Sequence, residues 1–314
     1  VLKKTGIATL LVLLIFIAIS VIQYWNEDTS ELVAAQASSK DSFLDMPLGK
    51  TRYQVHGVTG SQTVILLHGF NGFIENFDLN VPTLVKAGYR VIVYDQWGRG
   101  LSDRPRNNLT PAAIRDQLNT LLSHLEVNEF ALIGSSLGSV LAVDYALEYP
   151  DRVEQLILIA PAGWASENDP PEWLIKNQGI ADLIFHHFGT SIIRPKVIDY
   201  FFEDVDPTTM ALWDKYAALP GFTRSALSLM RHTPLRGYEG GWTQLGVSRT
   251  PTTVIWGMED ISFAHQNSTE LRAMAPHVTI RSVPEAAHWL NIENAETVNR
   301  HILEALQKQR PPFD

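Results

Sequence analysis

At 314 residues, 45% hydrophobic and 19% charged, the chain has the make-up of a globular protein large enough to bury both faces of a sheet, which excludes fibrous and disordered classes. Its net charge of -9, with no stripe of Lys and Arg, argues against nucleic acid as a partner, because displacing counterions from phosphate takes clustered positive charge. The absence of cysteine removes disulfides, thiolate nucleophiles and Cys-based metal or iron–sulfur sites.

Lys3 and Lys4 precede a run over 7–22 that holds neither charge nor proline and ends in Gln23, Tyr24, Trp25 and the acidic Glu27 and Asp28. Such a run approaches the roughly 20 residues that cross a hydrocarbon core, and Tyr24 and Trp25 suit the headgroup layer. Residues 1–25 are therefore expected to form a transmembrane signal anchor with its lysines inside and the catalytic domain exported, to the periplasm in a Gram-negative bacterium. Ala35-Gln36-Ala37 would suit signal-peptide cleavage but sits too far downstream of the apolar run. A buried core helix would be amphipathic, and this run is not. Residues 26–42, rich in Ser, Ala, Gln and acids, read as a linker.

From Phe43 onward, short β-branched runs alternate with helical patterns, the signature of crossover units building a mostly parallel sheet flanked by helices. Strands are expected over 63–67, 90–94, 130–133, 155–159, 252–256 and 278–283, after an antiparallel start around 51–55. Helices are expected from Thr110-Pro111 to Leu125, over 137–149, and from Asn294 to about Gln307. Between 163 and 247 there is no strand pattern, and Trp173, Phe185, Phe188, Tyr200, Phe201, Trp213 and Tyr216 recur at broadly helical spacing. This segment reads as a helical cap inserted into a core of 43–162 and 248–314.

The strongest chemical signal is Gly134-Ser135-Ser136-Leu137-Gly138, a G-x-S-x-G between a strand and a helix. A serine on so tight a turn needs small residues two before and two after it, and the helix that follows aims its first amides at the same point. Only Ser136 has glycine at both places; Ser135 is flanked by Ile133 and Leu137. His68-Gly69-Phe70 ends the 63–67 strand, where the backbone N–H of Phe70 could join that of Leu137 as an oxyanion hole. His68 itself reads as a loop-ordering residue. After the 252–256 strand come Glu259 and Asp260, either of which could orient an imidazole, at the carboxyl edge where open α/β sheets place their sites. Of the ten histidines, His288 lies in the loop beyond the last strand; His124, His186, His187 and His232 fall in helices without metal-ligand partners.

With these pieces in chain order, the chain from Phe43 on resembles the α/β-hydrolase superfamily, in its serine-nucleophile branch with a helical cap. Asp95-Gln96-Trp97-Gly98-Arg99-Gly100-Leu101-Ser102-Asp103 is similar to the family's D-x-x-G-x-G-x-S-D loop, and Ala287 stands where many relatives carry glycine. The resemblance implies Asp260 as the acid, since it occupies the family position after W-G-x-x, with His288 as base and Ser136 as nucleophile. It implies two-step acyl transfer with no metal or organic cofactor. A serine at this position argues against epoxide opening or halide displacement, which use aspartate there. Carboxylic esters, apolar ones to judge from the cap, are the expected substrates; carbon–carbon bond hydrolases and cofactor-free perhydrolases share the triad, and a ligand-binding protein without turnover is the remaining alternative.

Overall fold

In the computed structural model, which describes residues 2–165, 170–203 and 205–307, the apolar runs pair into one eight-stranded sheet. Its strands are β1 (Ser42–Met46), β2 (Gly49–His56), β3 (Thr63–Leu67), β4 (Arg90–Tyr94), β5 (Phe130–Ser135), β6 (Val153–Ile159), β7 (Thr252–Gly257) and β8 (Thr279–Val283), in the order β1-β2-β4-β3-β5-β6-β7-β8. β2 pairs antiparallel with both β1 and β4, and from β4 onward every neighbour is parallel. Parallel neighbours need crossovers, which lay helices on both faces and bury the central strands throughout. Every residue of β3, β5 and β7 is accordingly buried. β1 is an addition to the expected strands.

Before the cap run helices α1 (Leu2–Trp25), α2 (Ser30–Ser38), α3 (Val81–Lys86), α4 (Pro111–His124) and α5 (Leu137–Glu148). The cap contributes α6 (Glu172–Lys176), α7 (Ile180–Ile198), α8 (Pro207–Ala218), α9 (Phe222–His232) and α10 (Glu239–Val247). α11 (Asn267–Met274), α12 (Leu290–Glu293) and α13 (Ala295–Gln307) complete the core. α4 opens as its sequence dictates: Thr110 Oγ1 accepts the Ala113 N–H at 3.2 Å and Pro111 occupies the first turn. Residues 166–169 and 204 of the expected cap and 308–314 of the expected core lie outside the described residues. The cap's Phe185, Trp213 and Trp242 are buried, and Trp213 meets Phe222 while Trp242 stacks on Trp164, so part of its aromatic content packs within the cap segment itself.

Two expectations about the N-terminus change. The 26–42 segment is not an open linker: α2 forms in it, buries Leu32, and sends the Gln36 amide to the Leu101 carbonyl at 2.9 Å and to Asp103 at 2.8 Å. The transmembrane anchor over 1–25 is not supported, because among the described residues no helix is long and apolar enough to cross a membrane. α1 does form over this segment, and its later turns dock sideways on the cap. Phe16 stacks on His187 at 5.2 Å, Ser20 and His187 hydrogen-bond at 2.8 Å, and Arg106 donates to the carbonyls of Tyr24 and Trp25 at 2.9 Å. The Lys3 and Lys4 side chains lie outside what is described.

One buried ion cluster ties these layers together. Arg52 on β2, its side chain 5% exposed, meets Asp41 and Glu75 at 2.6 Å, Asp95 at 3.1 Å, and the Tyr216 hydroxyl of the cap at 3.1 Å. Removing one partner of a buried ionic group leaves the others uncompensated, typically at about 3–5 kcal/mol. Arg52→Met is therefore expected to destabilise the domain by that amount, read as a lowered urea midpoint with an unchanged m-value.

Candidate active site

Three strands end at one edge of the sheet, and each hands over one side chain. β5 runs through Ser135, and the chain then turns into α5 so sharply that Ser136 takes φ 55° and ψ -120°. A residue with a Cβ enters that region only under strain. The flanking glycines allow the turn to close: a Cβ on Gly134 would lie 2.2 Å from the Gly138 carbonyl oxygen, and one on Gly138 would lie 2.3 Å from that of Leu67. Both obstacles are backbone. Gly138→Ala is expected to force β3 and α5 apart at a typical overpacking penalty of about 1–3 kcal/mol. A fall in Tm of several degrees, with slower modification of Ser136, would report it.

β7 ends at Gly257, and three residues later Asp260 is 3% exposed. Its Oδ1 accepts the backbone N–H groups of Ser262 at 2.8 Å and Phe263 at 3.0 Å, and its Oδ2 accepts the Nδ1–H of His288 at 2.8 Å. Glu259, the competing carboxylate, is exposed. His288, in the loop after β8, is 1% exposed, and its Nε2 accepts the Ser136 hydroxyl at 2.8 Å. The structure thus brings Ser136, His288 and Asp260 into one hydrogen-bonded line. The imidazole lies against Tyr200 at 4.8 Å and Phe263 at 5.6 Å between ring centroids.

The turn after β3 crosses over the serine, since a Cβ on Gly69 would lie 2.8 Å from that of Ser136. Phe70 and Ser136 line one cavity, and neither the Phe70 nor the Leu137 amide donates to another described element. Both are free to meet an oxyanion. His68 has a different place. Its Nδ1–H donates to the Gly69 carbonyl at 2.9 Å, its Nε2 accepts the Gln96 N–H at 3.0 Å, and burial pulls its pKa down to about 3. It is a neutral brace inside the turn.

The cavity over Ser136 measures about 280 Å³. Phe185, Ile193, Met230, Leu235 and Phe263 give it apolar walls, while Asn71, Lys196, Asp199, Tyr200 and Arg236 contribute the polar part. Asn71 donates to the Tyr200 hydroxyl at 2.9 Å, and burial pushes the Tyr200 pKa up to about 12, keeping the phenol neutral. Periodicity marked the cap as helical but carried no chemistry, so Lys196, Tyr200 and Arg236 were missed. A larger cavity of about 680 Å³, with Glu75, Asp78, Asp206 and Glu293 on its wall, has none of the three aligned side chains in its lining. Among the described residues no cluster of His, Asp or Glu is arranged to hold a metal ion.

The cap reaches the histidine loop directly. The Trp289 N–H donates to the Tyr200 carbonyl at 3.0 Å, and the Glu293 carboxylate accepts the Ala287 N–H at 2.9 Å together with the N–H of Phe202. Burial raises the Glu293 pKa, against the pull of those two amides.

The family profile of the alpha/beta hydrolase fold matches residues 62–295. The chain belongs to that family. This α/β hydrolase is 25% identical over 291 residues to 2-hydroxy-6-oxo-6-phenylhexa-2,4-dienoate hydrolase of Burkholderia cepacia, covering 88% of this chain and 99% of the relative. Among solved structures, a mutant of the meta-cleavage product hydrolase CumD of Pseudomonas fluorescens IP01, complexed with acetates, superposes with a TM-score of 0.70 at 23% identity, over 86% of this chain and 98% of that one. A membrane phospholipase A described as a bacterial virulence factor superposes at 0.69 and 19% identity, over 97% of this chain and 98% of that one. At such identities the two structures establish the fold.

Proposed function

We propose that this α/β hydrolase cleaves a carbon–carbon bond beside a ketone, in a small substrate that carries a carboxylate, through an acyl-enzyme on Ser136. The observation behind this reading is the cavity over the serine, which is apolar on much of its wall yet carries two cations, Lys196 and Arg236, against one carboxylate, Asp199, which pairs with Lys196 at 3.8 Å. A phenyl-bearing oxo-dienoate, the kind of compound named for the Burkholderia relative, has a matching make-up.

In the proposed reaction Asp260 holds the proton on Nδ1 of His288, so that Nε2 is free to take the Ser136 proton as Oγ attacks the carbonyl carbon. The Phe70 and Leu137 amides receive the oxyanion. Its collapse breaks the adjacent carbon–carbon bond. The electron pair passes into the conjugated fragment, which takes the proton from His288, and water activated by the same imidazole then releases the acid.

A second reading, cleavage of an apolar carboxylic ester, is favoured by α1. Its Leu11, Val12, Ile15, Phe16 and Ile22 are exposed, and the membrane phospholipase structure overlays 97% of this chain. On this reading residues 1–25 hold the protein at a bilayer with the catalytic domain on the exported side. Here the bond broken is carbon–oxygen and the leaving alkoxide takes the proton.

Rates on 2-hydroxy-6-oxo-6-phenylhexa-2,4-dienoate and on p-nitrophenyl esters of graded length separate the two. A kcat/KM at least about a hundredfold higher for the dienoate supports the first reading, and the reverse supports the second. If neither turns over and a fluorophosphonate leaves Ser136 unmodified, both readings fall. For the anchor, the full chain is expected to sediment with membranes in high salt, and the chain lacking residues 1–25 to stay in the supernatant.

A further inference from the structure

Arg99, on the loop after β4, is 1% exposed, and its guanidinium carbon lies 4.8 Å from the ring centroids of both Phe70 and Phe222. Its Nε–H donates to the Phe70 carbonyl and its Nη1–H to the Gly98 carbonyl at 2.7 Å. Nη2 is buried without a hydrogen-bond partner among the described residues, and no described carboxylate forms an ion pair with Arg99. Arg52, also buried, has three carboxylates around it. Burial, with the like charge of Arg104 second, pulls the Arg99 pKa down to about 9, which still leaves it cationic at neutral pH.

A buried cation without a counterion destabilises the resting protein. The carbonyl it grips belongs to Phe70, which lines the cavity with Ser136 just after the Gly69 turn, so the charge is held on the same residue whose amide would receive the oxyanion. Phe222, on cap helix α9, packs against the same guanidinium, so residues of core and cap together bury it. An interaction absent in the resting state and present only when an oxyanion forms is the kind that raises kcat without tightening substrate binding.

We propose that Arg99 is a positioning residue for acyl transfer: it clamps Phe70 so that the Phe70 amide meets the oxyanion, and its uncompensated charge favours the negative charge that develops there. The inference rests on the serine-hydrolase reading above, whichever bond is cleaved. Failure of a fluorophosphonate to modify Ser136 in the wild-type chain would overturn that reading and this one together.

With modification established, kcat and KM on p-nitrophenyl butyrate are measured for wild type, Arg99→Met and Arg99→Lys. Inhibition constants are taken for an alkyl trifluoromethyl ketone, which adds to the serine as an oxyanion, and for butyrate, which does not. Arg99→Met is expected to lower kcat and trifluoromethyl ketone affinity together by about 10–100-fold, with KM and butyrate binding within about twofold. Arg99→Lys, which keeps the charge, is expected to recover part of both. Unchanged kcat in Arg99→Met, a change in KM alone, or a fall in kcat without loss of ketone affinity would overturn the inference while leaving the serine-hydrolase reading intact. Should Arg99→Met melt below assay temperature, Arg99→Lys decides by the same criterion. A joint, partial loss of kcat and ketone affinity at constant KM supports the proposal, and any other pattern ends it.

Discussion

Ser136→Ala is expected to lower kcat by on the order of a millionfold while the domain stays folded. The rate falls because no described neighbour can replace the lost oxygen. Ser135 still belongs to β5, and His288, left without the hydroxyl on Nε2, keeps only its bond to Asp260. The fold survives because alanine retains the Cβ that already tolerates φ 55° at this turn. The change removes one hydroxyl–imidazole bond, worth about 1 kcal/mol net. The strain of the elbow remains in both proteins, so Tm should move by only a few degrees. Single-turnover kinetics with the better of the two substrate classes, alongside intact mass after fluorophosphonate treatment, tests the point: no adduct and no burst in the variant. A variant that kept the chain's activity would remove Ser136 from the mechanism.

The parts of this site that the sequence displays are those fixed by local backbone demands. β3, β5 and β7 show as unbroken apolar runs because a strand covered on both faces has no polar side to interrupt it. Ser136 stands apart from Ser135 because glycine is needed at two places where any Cβ would lie 2.2 or 2.3 Å from a backbone oxygen. What stayed hidden is non-local. β1, an edge strand of Ser42-Phe43-Leu44-Asp45-Met46, buries only Met46 and exists through its pairing with β2. α2 looked like linker because its partner for Gln36, the Leu101 carbonyl, lies 65 residues away. Hydropathy along 7–22 reports apolar length alone; it is blind to His187 of the cap, which engages Phe16 and Ser20. Asp95 to Asp103 was legible as a loop, yet nothing in its pattern says that Arg99 meets no carboxylate among the described residues.

Tyr200, Phe202 and Glu293 show why the cap belongs to the catalytic geometry as well as to the walls of the cavity. The segment after α7 is hydrogen-bonded to the backbone on both sides of His288, through Trp289 and, by way of Glu293, through Ala287. A cap that moved would carry the imidazole with it. The 2.8 Å spacing to Ser136 therefore depends on where the cap sits.

Asp260→Asn is expected to lower kcat by about ten-thousandfold with little loss of stability, and the reason lies in the other carboxylate oxygen. Oδ1 is held by two donors, the amides of Ser262 and Phe263. An asparagine must put its carbonyl oxygen there, because an NH2 group facing two N–H groups would leave all of them unsatisfied. Its NH2 then faces Nδ1 of His288 and donates. The imidazole can meet that donor only as the tautomer protonated on Nε2, which presents an N–H to Ser136 where the reaction needs a lone pair. Glu259 cannot compensate, since it is exposed to solvent and makes no bond to the ring. Proton NMR of the imidazole should show the Nδ1–H signal of the wild type missing in the variant while Tm stays within a few degrees. If the signal persisted, or if kcat fell by less than about tenfold, the acid's role would be to hold the loop rather than to set the tautomer.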